Sequence, residues 1–340
     1  MGVERVEDLI ARGRTDVTFG TLPAMSLNAV LLCPGQGAQS VGMGKSWFDA
    51  FAVARQTFAA ADERLRSLPG NARLSELCFN GPAEILNRTD VSQPALYTTG
   101  VACYQSLVEK HGGLTIRAAA GLSLGEYTAL HLAGAMSFGD GLTLVGLRGR
   151  LMQEAAEQSK GSMVALIGAD ETQAQAVCDG AAQGEILVCA NFNAPGQIVL
   201  SGHVGACQRA VDVAASMGFR ATPLQVAGAF HSPLMAPAAE RLAQALTHVP
   251  FKPLATDVWS NVTAKPHDRS NTDSIKKLLV DQLVSPVRWA QSCADMLATL
   301  KSAAGTPADM PKMLEMAPGV VLKGLMRRID RACEVLAHDQ

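Results

Sequence analysis

The chain has 340 residues, enough for about two domains, with 48% apolar and 18% charged residues and 29 Lys+Arg against 31 Asp+Glu, a net charge of −2. Such a balance excludes a disordered chain. It also argues against nucleic acid or an anionic membrane as the main partner, since both require a basic excess.

The eight cysteines (Cys33, Cys78, Cys103, Cys178, Cys189, Cys207, Cys293 and Cys333) are scattered, with no CxxC pair. That spacing suits neither a disulfide scaffold nor a zinc site, so no metal is expected, and the thiols read as small buried side chains in a reducing cytoplasm. No membrane span is expected either. The longest charge-free stretch, 17–44, is interrupted by Pro23, Pro34 and five glycines.

Residues 1–28 read as an N-terminal extension. VERVEDLIARGR (3–14) has the spacing of a short amphipathic helix, but Glu4, Glu7 and Asp8 argue against an organelle transit peptide, and no apolar run marks a secretion signal. Met25 offers an alternative start. From Ala29 the pattern becomes regular. AVLLCPGQGAQ (29–39) predicts a buried strand entering a glycine-rich loop, and helices are expected at about 44–66 and 93–110. IRAAAGLSLGEYTALHLAGA (116–135) predicts strand, sharp turn and helix, followed by a helix at about 140–158. Alternating strands and helices imply an α/β fold with a parallel sheet.

The rhythm changes at about 159–227. Strand 162–169, helix 171–182, strands 185–192 and 196–202 around the turn Asn193-Ala194-Pro195, helix 204–218 and strand 219–226 follow the βαββαβ order of a ferredoxin-like unit. The expected organisation is a large α/β catalytic domain of 29–158 and 228–340, with a ferredoxin-like small domain at 159–227 inserted into it. Helix 236–247, strand 254–259, helices at 273–283 and 287–300, strand 312–316 and a terminal helix from about 319 complete the large domain.

Gly121-Leu122-Ser123-Leu124-Gly125 is a GxSxG between strand and helix. A nucleophile on so tight a turn needs neighbours without side chains, and the next amide, of Leu124, can donate to an oxyanion at a helix N-terminus. Such a serine needs a base. Of seven histidines, His231 follows the apolar run LQVAGAF (224–230), read as a strand, where a loop begins. Open α/β sheets gather their sites beyond strand carboxyl ends. No acidic third member is evident, because the acids between Ser123 and His231 fall in the small domain, so a backbone or amide carbonyl is the alternative orienter. Arg148, in the largely apolar helix before RLMQEA, is either a solvated charge or a bidentate carboxylate ligand. The loop 33–46 lacks glycine at Gln39 and Ser40 and so fails both nucleotide-binding templates, but the amide of Gln36 is available to an oxyanion.

PGQGAQ (34–39), GPAEILNRTDVSQPAL (81–96), GLSLGEYTAL (121–130), RGRLMQ (148–153), NFNAPGQIVLSG (191–202) and GAFHSPLM (228–235) resemble, in order, the malonyl-CoA:acyl carrier protein transacylases and the acyltransferase domains of polyketide synthases. The resemblance runs over about 29–330. It implies an α/β-hydrolase-like core with a ferredoxin-like insert, and ping-pong transfer of malonyl from malonyl-CoA to the phosphopantetheine thiol of acyl carrier protein, supplying fatty-acid synthesis without a cofactor. It further implies Ser123 as nucleophile, His231 as base oriented by the main-chain carbonyl of Gln282, the amides of Gln36 and Leu124 as oxyanion hole, and Arg148 as the malonyl carboxylate ligand. Leu122 departs from the His that many members carry there, which bears on acyl preference. A polyketide-type trans-acting acyltransferase and a serine thioesterase or esterase are the alternatives. The chain is expected to be a cytoplasmic monomer. Lys323, Arg327, Arg328 and Arg331 are a candidate local patch for an acidic carrier.

Overall fold

The structure, a computed structural model, describes residues 27–66 and 68–339. The helix read at 3–14 and the alternative start at Met25 lie outside the described residues. The strands are β1 (Leu27–Cys33), β2 (Leu114–Gly121), β3 (Gly161–Ile167), β4 (Leu187–Ala194), β5 (Gln197–His203), β6 (Arg220–Pro223), β7 (Asp257–Trp259), β8 (Lys312–Glu315) and β9 (Val335–Ala337). The helices are α1 (Lys45–Ala50), α2 (Ala52–Arg64), α3 (Leu74–Asn80), α4 (Ala83–Leu86), α5 (Thr89–His111), α6 (Leu124–Leu132), α7 (Phe138–Ser159), α8 (Glu171–Ala182), α9 (Val204–Ser216), α10 (Ala236–Leu246), α11 (Thr272–Asp281), α12 (Trp289–Ala303) and α13 (Val321–Ile329).

A parallel sheet of order β7-β2-β1-β8-β9 forms the centre. Five successive residues of β1, Ala29 to Cys33, are buried, as a strand covered on both faces requires. Alternate side chains feed different layers. Ala29, Leu31 and Cys33 join the core beneath α5, α6 and α7, while Val30 and Leu32 join Trp289, Met296 and Met326 from α12 and α13. The sheet is therefore the middle of three layers.

The second sheet, of order β4-β5-β3-β6, is antiparallel throughout. Val164, Leu166, Ile198 and Leu200 bury one face against α8 and α9, whereas Met163 and Val199 point into the large core. Its edge is tied to the body at Val287, which accepts from Phe192 N at 2.9 Å and donates to Ala190 O at 2.8 Å. That tie brings the polar residues of β4 to the segment that carries Gln282.

Several boundaries differ from the sequence reading. The first strand starts at Leu27, two residues before the run read from Ala29, because Leu27 and Asn28 already pair with β2. The helix expected at 44–66 is two helices, split where Phe51 is extended at φ −121° and ψ 133°. The helix expected at 93–110 is longer, since α5 begins at Thr89 and carries Pro94 inside it. Helices α3 and α4 were not anticipated. In the hairpin, Asn193 and Ala194 belong to β4, and the turn falls on Pro195-Gly196, where Gly196 has φ +70°. The strand expected at 219–226 ends at Pro223, so residues 224–230 are irregular and His231 follows a loop. The terminal helix stops at Ile329, and the chain adds β9, parallel to β8. Among the described residues, no helix is long and apolar enough to cross a membrane.

Candidate active site

Ser123 stands between β2 and α6 with φ +52° and ψ −105°, a conformation that costs a non-glycine residue free energy and persists only where the surroundings enforce it. The two glycines of the motif are required by contact. A Cβ on Gly121 would lie 1.9 Å from the carbonyl carbon of Gly125, and one on Gly125 would lie 2.0 Å from the Cys33 oxygen. Gly35 is equally constrained, since its Cβ would meet the Leu122 oxygen at 2.2 Å. Leu122 packs at the edge of the α12–α13 core layer, and its amide donates to Cys33 O at 3.0 Å. Leu124 opens α6, so its amide has no acceptor one turn back within the helix.

His231 also has positive φ, at +55°, in a loop held down on both sides. Ser201 Oγ donates to Phe230 O, and Ser232 Oγ to Ala229 O, each at 2.7 Å. Gly228 permits the approach to α7, because a Cβ there would stand 2.4 Å from that of Ala156.

These segments bring Ser123, His231, Arg148 and Gln282 together. Ser123 Oγ is 2.9 Å from His231 Nε2, and His231 Nδ1 is 2.8 Å from the main-chain oxygen of Gln282. A carbonyl only accepts, so Nδ1 carries the proton and Nε2 presents its lone pair to the serine hydroxyl. Burial, reinforced by the Arg148 charge, pushes the His231 imidazole down to about 4, against the bond to Gln282, which favours the charged form. The ring is therefore a neutral base at physiological pH.

Arg148 is 1% exposed, which settles its environment as buried rather than a solvated helix face. Its Nη1 donates to Gln93 Oε1 at 2.7 Å, and Nη2 to Ser123 Oγ at 3.1 Å and Gln282 Oε1 at 3.0 Å. The guanidinium also lies 5.2 Å from the Tyr127 ring centroid. Its Nε is buried with no hydrogen-bond partner among the described residues. Burial lowers its pKa and raises that of Tyr127 to about 12, leaving the phenol protonated.

A cavity of about 180 Å³ opens onto Ser123 and His231, with Gln36, Leu122, Met152 and Asn191 among its walls. A larger hollow of about 560 Å³ lies against Lys312 and Met313 at the amino end of β8 and holds none of these residues. Among the described residues, no cluster of three or more His, Cys, Asp or Glu is placed to hold a metal, and all eight cysteines are free, seven of them buried.

Four buried residues of the site were not singled out from the sequence. Asn261 accepts from Ser123 N at 2.6 Å and donates to Gly121 O at 2.7 Å, bracing both ends of the turn. Glu126 accepts from Gln282 Nε2 at 2.7 Å and pairs with His267 Nε2 at 2.7 Å. Gln93 completes the Arg148 shell. An acid inside the apolar helix LGEYTALHL is a legible signal for Glu126; His267 and Asn261 carry none.

Residues 30–307 match the acyl transferase domain family. The chain belongs to that family and is an acyltransferase. It is 40% identical over 297 residues to the malonyl CoA-acyl carrier protein transacylase of Escherichia coli O157:H7, covering 87% of this chain and 91% of that protein. The crystal structure of an acyl carrier protein S-malonyltransferase from Vibrio cholerae superposes with a TM-score of 0.82 at 38% identity, covering 92% and 97% of the two chains. A chain in the solved complex of a type II PKS acyl-carrier protein with its malonyl-transacylase superposes with a TM-score of 0.83 at 38% identity, covering 93% and 96%.

Proposed function

We propose that the chain moves the malonyl group from malonyl-CoA to the phosphopantetheine thiol of an acyl carrier protein through a malonyl ester on Ser123, supplying fatty-acid synthesis. The observation that carries this reading is one buried oxygen, Ser123 Oγ, held 2.9 Å from a neutral imidazole and 3.1 Å from a guanidinium. His231 Nε2 takes the hydroxyl proton as Oγ attacks the thioester carbonyl. The oxyanion of the tetrahedral intermediate is received by the amides of Gln36 and Leu124, the latter at the positive end of α6. The C–S bond then breaks, and His231 returns its proton to the departing CoA thiolate. In the second half His231 deprotonates the carrier thiol, which attacks the ester, and the proton returns to Ser123.

Arg148 holds the free carboxylate of the malonyl group. A buried cation is costly where the acyl chain is neutral, and is matched where it ends in an anion. This separates the transferase reading from an esterase. The main-chain carbonyl behind His231, in place of a carboxylate, stabilises an imidazolium less and suits exchange between thioesters over hydrolysis.

The architecture fits an α/β-hydrolase-like body of 27–158 and 228–340 with a ferredoxin-like unit at 159–227, on the support of the βαββαβ order and the β4-β5-β3-β6 sheet. The carrier docks as a separate acidic protein on a monomeric, cytoplasmic enzyme. Arg327 and Arg328 on the exposed side of α13, with Arg331 just beyond its end, line an open hollow with Pro195, which follows the strand that carries Asn191. The test is intact mass after mixing with malonyl-CoA. Wild type gains one malonyl group and Ser123→Ala gains none; an undiminished adduct on the variant overturns the assignment.

A further inference from the structure

Gln282 stands between two buried charges. Its Nε2 donates to Glu126 Oε2 at 2.7 Å and to Ser123 O at 3.1 Å, while its Oε1 accepts from Arg148 Nη2 at 3.0 Å. Glu126 and Gln282 are fully buried, and Arg148 is 1% exposed. Glu126 is itself held by Asn261 N at 3.1 Å and His267 Nε2 at 2.7 Å.

The chemistry of the two ends dictates the middle. A carboxylate only accepts and a guanidinium only donates, so the carboxamide satisfies both in a single orientation, with its NH₂ toward Glu126 and its C=O toward Arg148. The same ordering continues to the nucleophile. Arg148 Nη2 also donates to Ser123 Oγ, which leaves the serine proton directed at His231 Nε2. The anion of Glu126 thus offsets the buried cation without touching it, and the guanidinium keeps its remaining donors for substrate. A direct salt bridge would occupy those donors.

We propose that Glu126 is a positioning residue that acts through the Gln282 carboxamide to fix the orientation of Arg148, and so sets the selectivity for acyl groups that end in a carboxylate. The inference rests on the reading of Arg148 as the carboxylate ligand. With a neutral amide at 126, which can donate as well as accept, the Gln282 carboxamide is free to turn over and present its NH₂ to the guanidinium. Arg148 then loses an acceptor and its aim, while the bond from His231 Nδ1 to the main-chain oxygen of Gln282 is untouched.

The experiment measures kcat/KM for acylation of Ser123 by malonyl-CoA and by acetyl-CoA in wild type, Glu126→Gln, Gln282→Met and the double variant, with thermal melts to establish folding. Gln282→Met removes the carboxamide and keeps the main-chain carbonyl, and it decides the matter if Glu126→Gln does not fold. The malonyl-to-acetyl ratio should fall about tenfold or more in each single variant, with no further fall in the double variant, since both break one relay. A ratio within about twofold of wild type in a folded variant, or equal losses for the two acyl groups, overturns the proposal. Arg148→Ala, measured alongside, separates the two claims. If the ratio survives Arg148→Ala, the carboxylate-ligand reading fails; if it falls there but survives Gln282→Met, only the relay is overturned.

Discussion

Arg148 Nη2 and Ser123 Oγ lie 3.1 Å apart in the interior, and the same oxygen is 2.9 Å from His231 Nε2. One hydroxyl therefore accepts from a cation and donates to a neutral base. In the proposed reaction the cation favours the negative charge that develops on oxygen during attack; it also depresses the basicity of the neighbouring imidazole. The proposed reaction thus joins selectivity and reactivity at a single group.

Replacement of that group should separate acyl substrates. Arg148→Ala is expected to lower kcat/KM for malonyl-CoA about ten- to a hundredfold more than for acetyl-CoA, the worth of a desolvated charge-assisted contact of about 1.5–3 kcal/mol. Parallel acylation kinetics with the two thioesters measure it. Equal losses would remove Arg148 from carboxylate recognition.

The depressed basicity of His231 sets the pH dependence. Because the folded imidazole titrates at about 4, kcat/KM should stay level from neutral pH to about pH 5 and fall tenfold per unit only below about 4. An acid limb centred near the ordinary histidine value of about 6.5 would contradict the assigned environment. Stability follows the same group. The unfolded chain binds more protons between the folded and unfolded pKa values, so stability is full above about pH 6.5 and declines as pH falls toward 4, by at most about 3 kcal/mol from this residue. His131 and His338 are also lowered by burial, so the comparison of urea midpoints at pH 7 and pH 5 is made against His231→Gln, which should show a smaller decline.

Asn261 braces the strained turn. Asn261→Ala leaves the buried Ser123 amide and Gly121 carbonyl without that partner, and should cost about 2–4 kcal/mol in urea denaturation together with a loss in kcat. A variant that keeps wild-type stability and turnover would show that the turn holds itself.

Two glycines should respond oppositely to the same added methyl group. Gly125→Ala places a Cβ 2.0 Å from the Cys33 oxygen, and is expected to cost more than about 4 kcal/mol or to prevent folding. Gly324 sits on the exposed face of α13 with nothing within 4 Å of its added Cβ. Gly324→Ala should therefore raise stability by about 0.5–1 kcal/mol through helix propensity. Thermal melts of the two proteins test the pair.

The chemistry of the site was legible where it depends on local backbone. The glycines around Ser123 announce a tight turn, because that conformation excludes most other residues at those positions. The α/β alternation and the βαββαβ order were equally open to reading, since burial on both faces of a parallel strand leaves a run such as AVLLC that no surface segment affords. What misled was also local: the apolar run 224–230 suggested a strand where the chain forms an irregular loop.

The tertiary structure decided the partners. Glu126 and Gln282 are 156 residues apart, and Ser123 and Asn261 are 138 apart, yet each pair shares a buried hydrogen bond. Nothing in the local sequence encodes such a meeting, because a polar side chain is compatible with any neighbour that satisfies it, and only the packed interior, where unsatisfied groups are costly, selects one. Arg148 shows the division most plainly. Its residue type is written in the sequence; its burial, its orienting carboxamide and its distance to the nucleophile come from the fold.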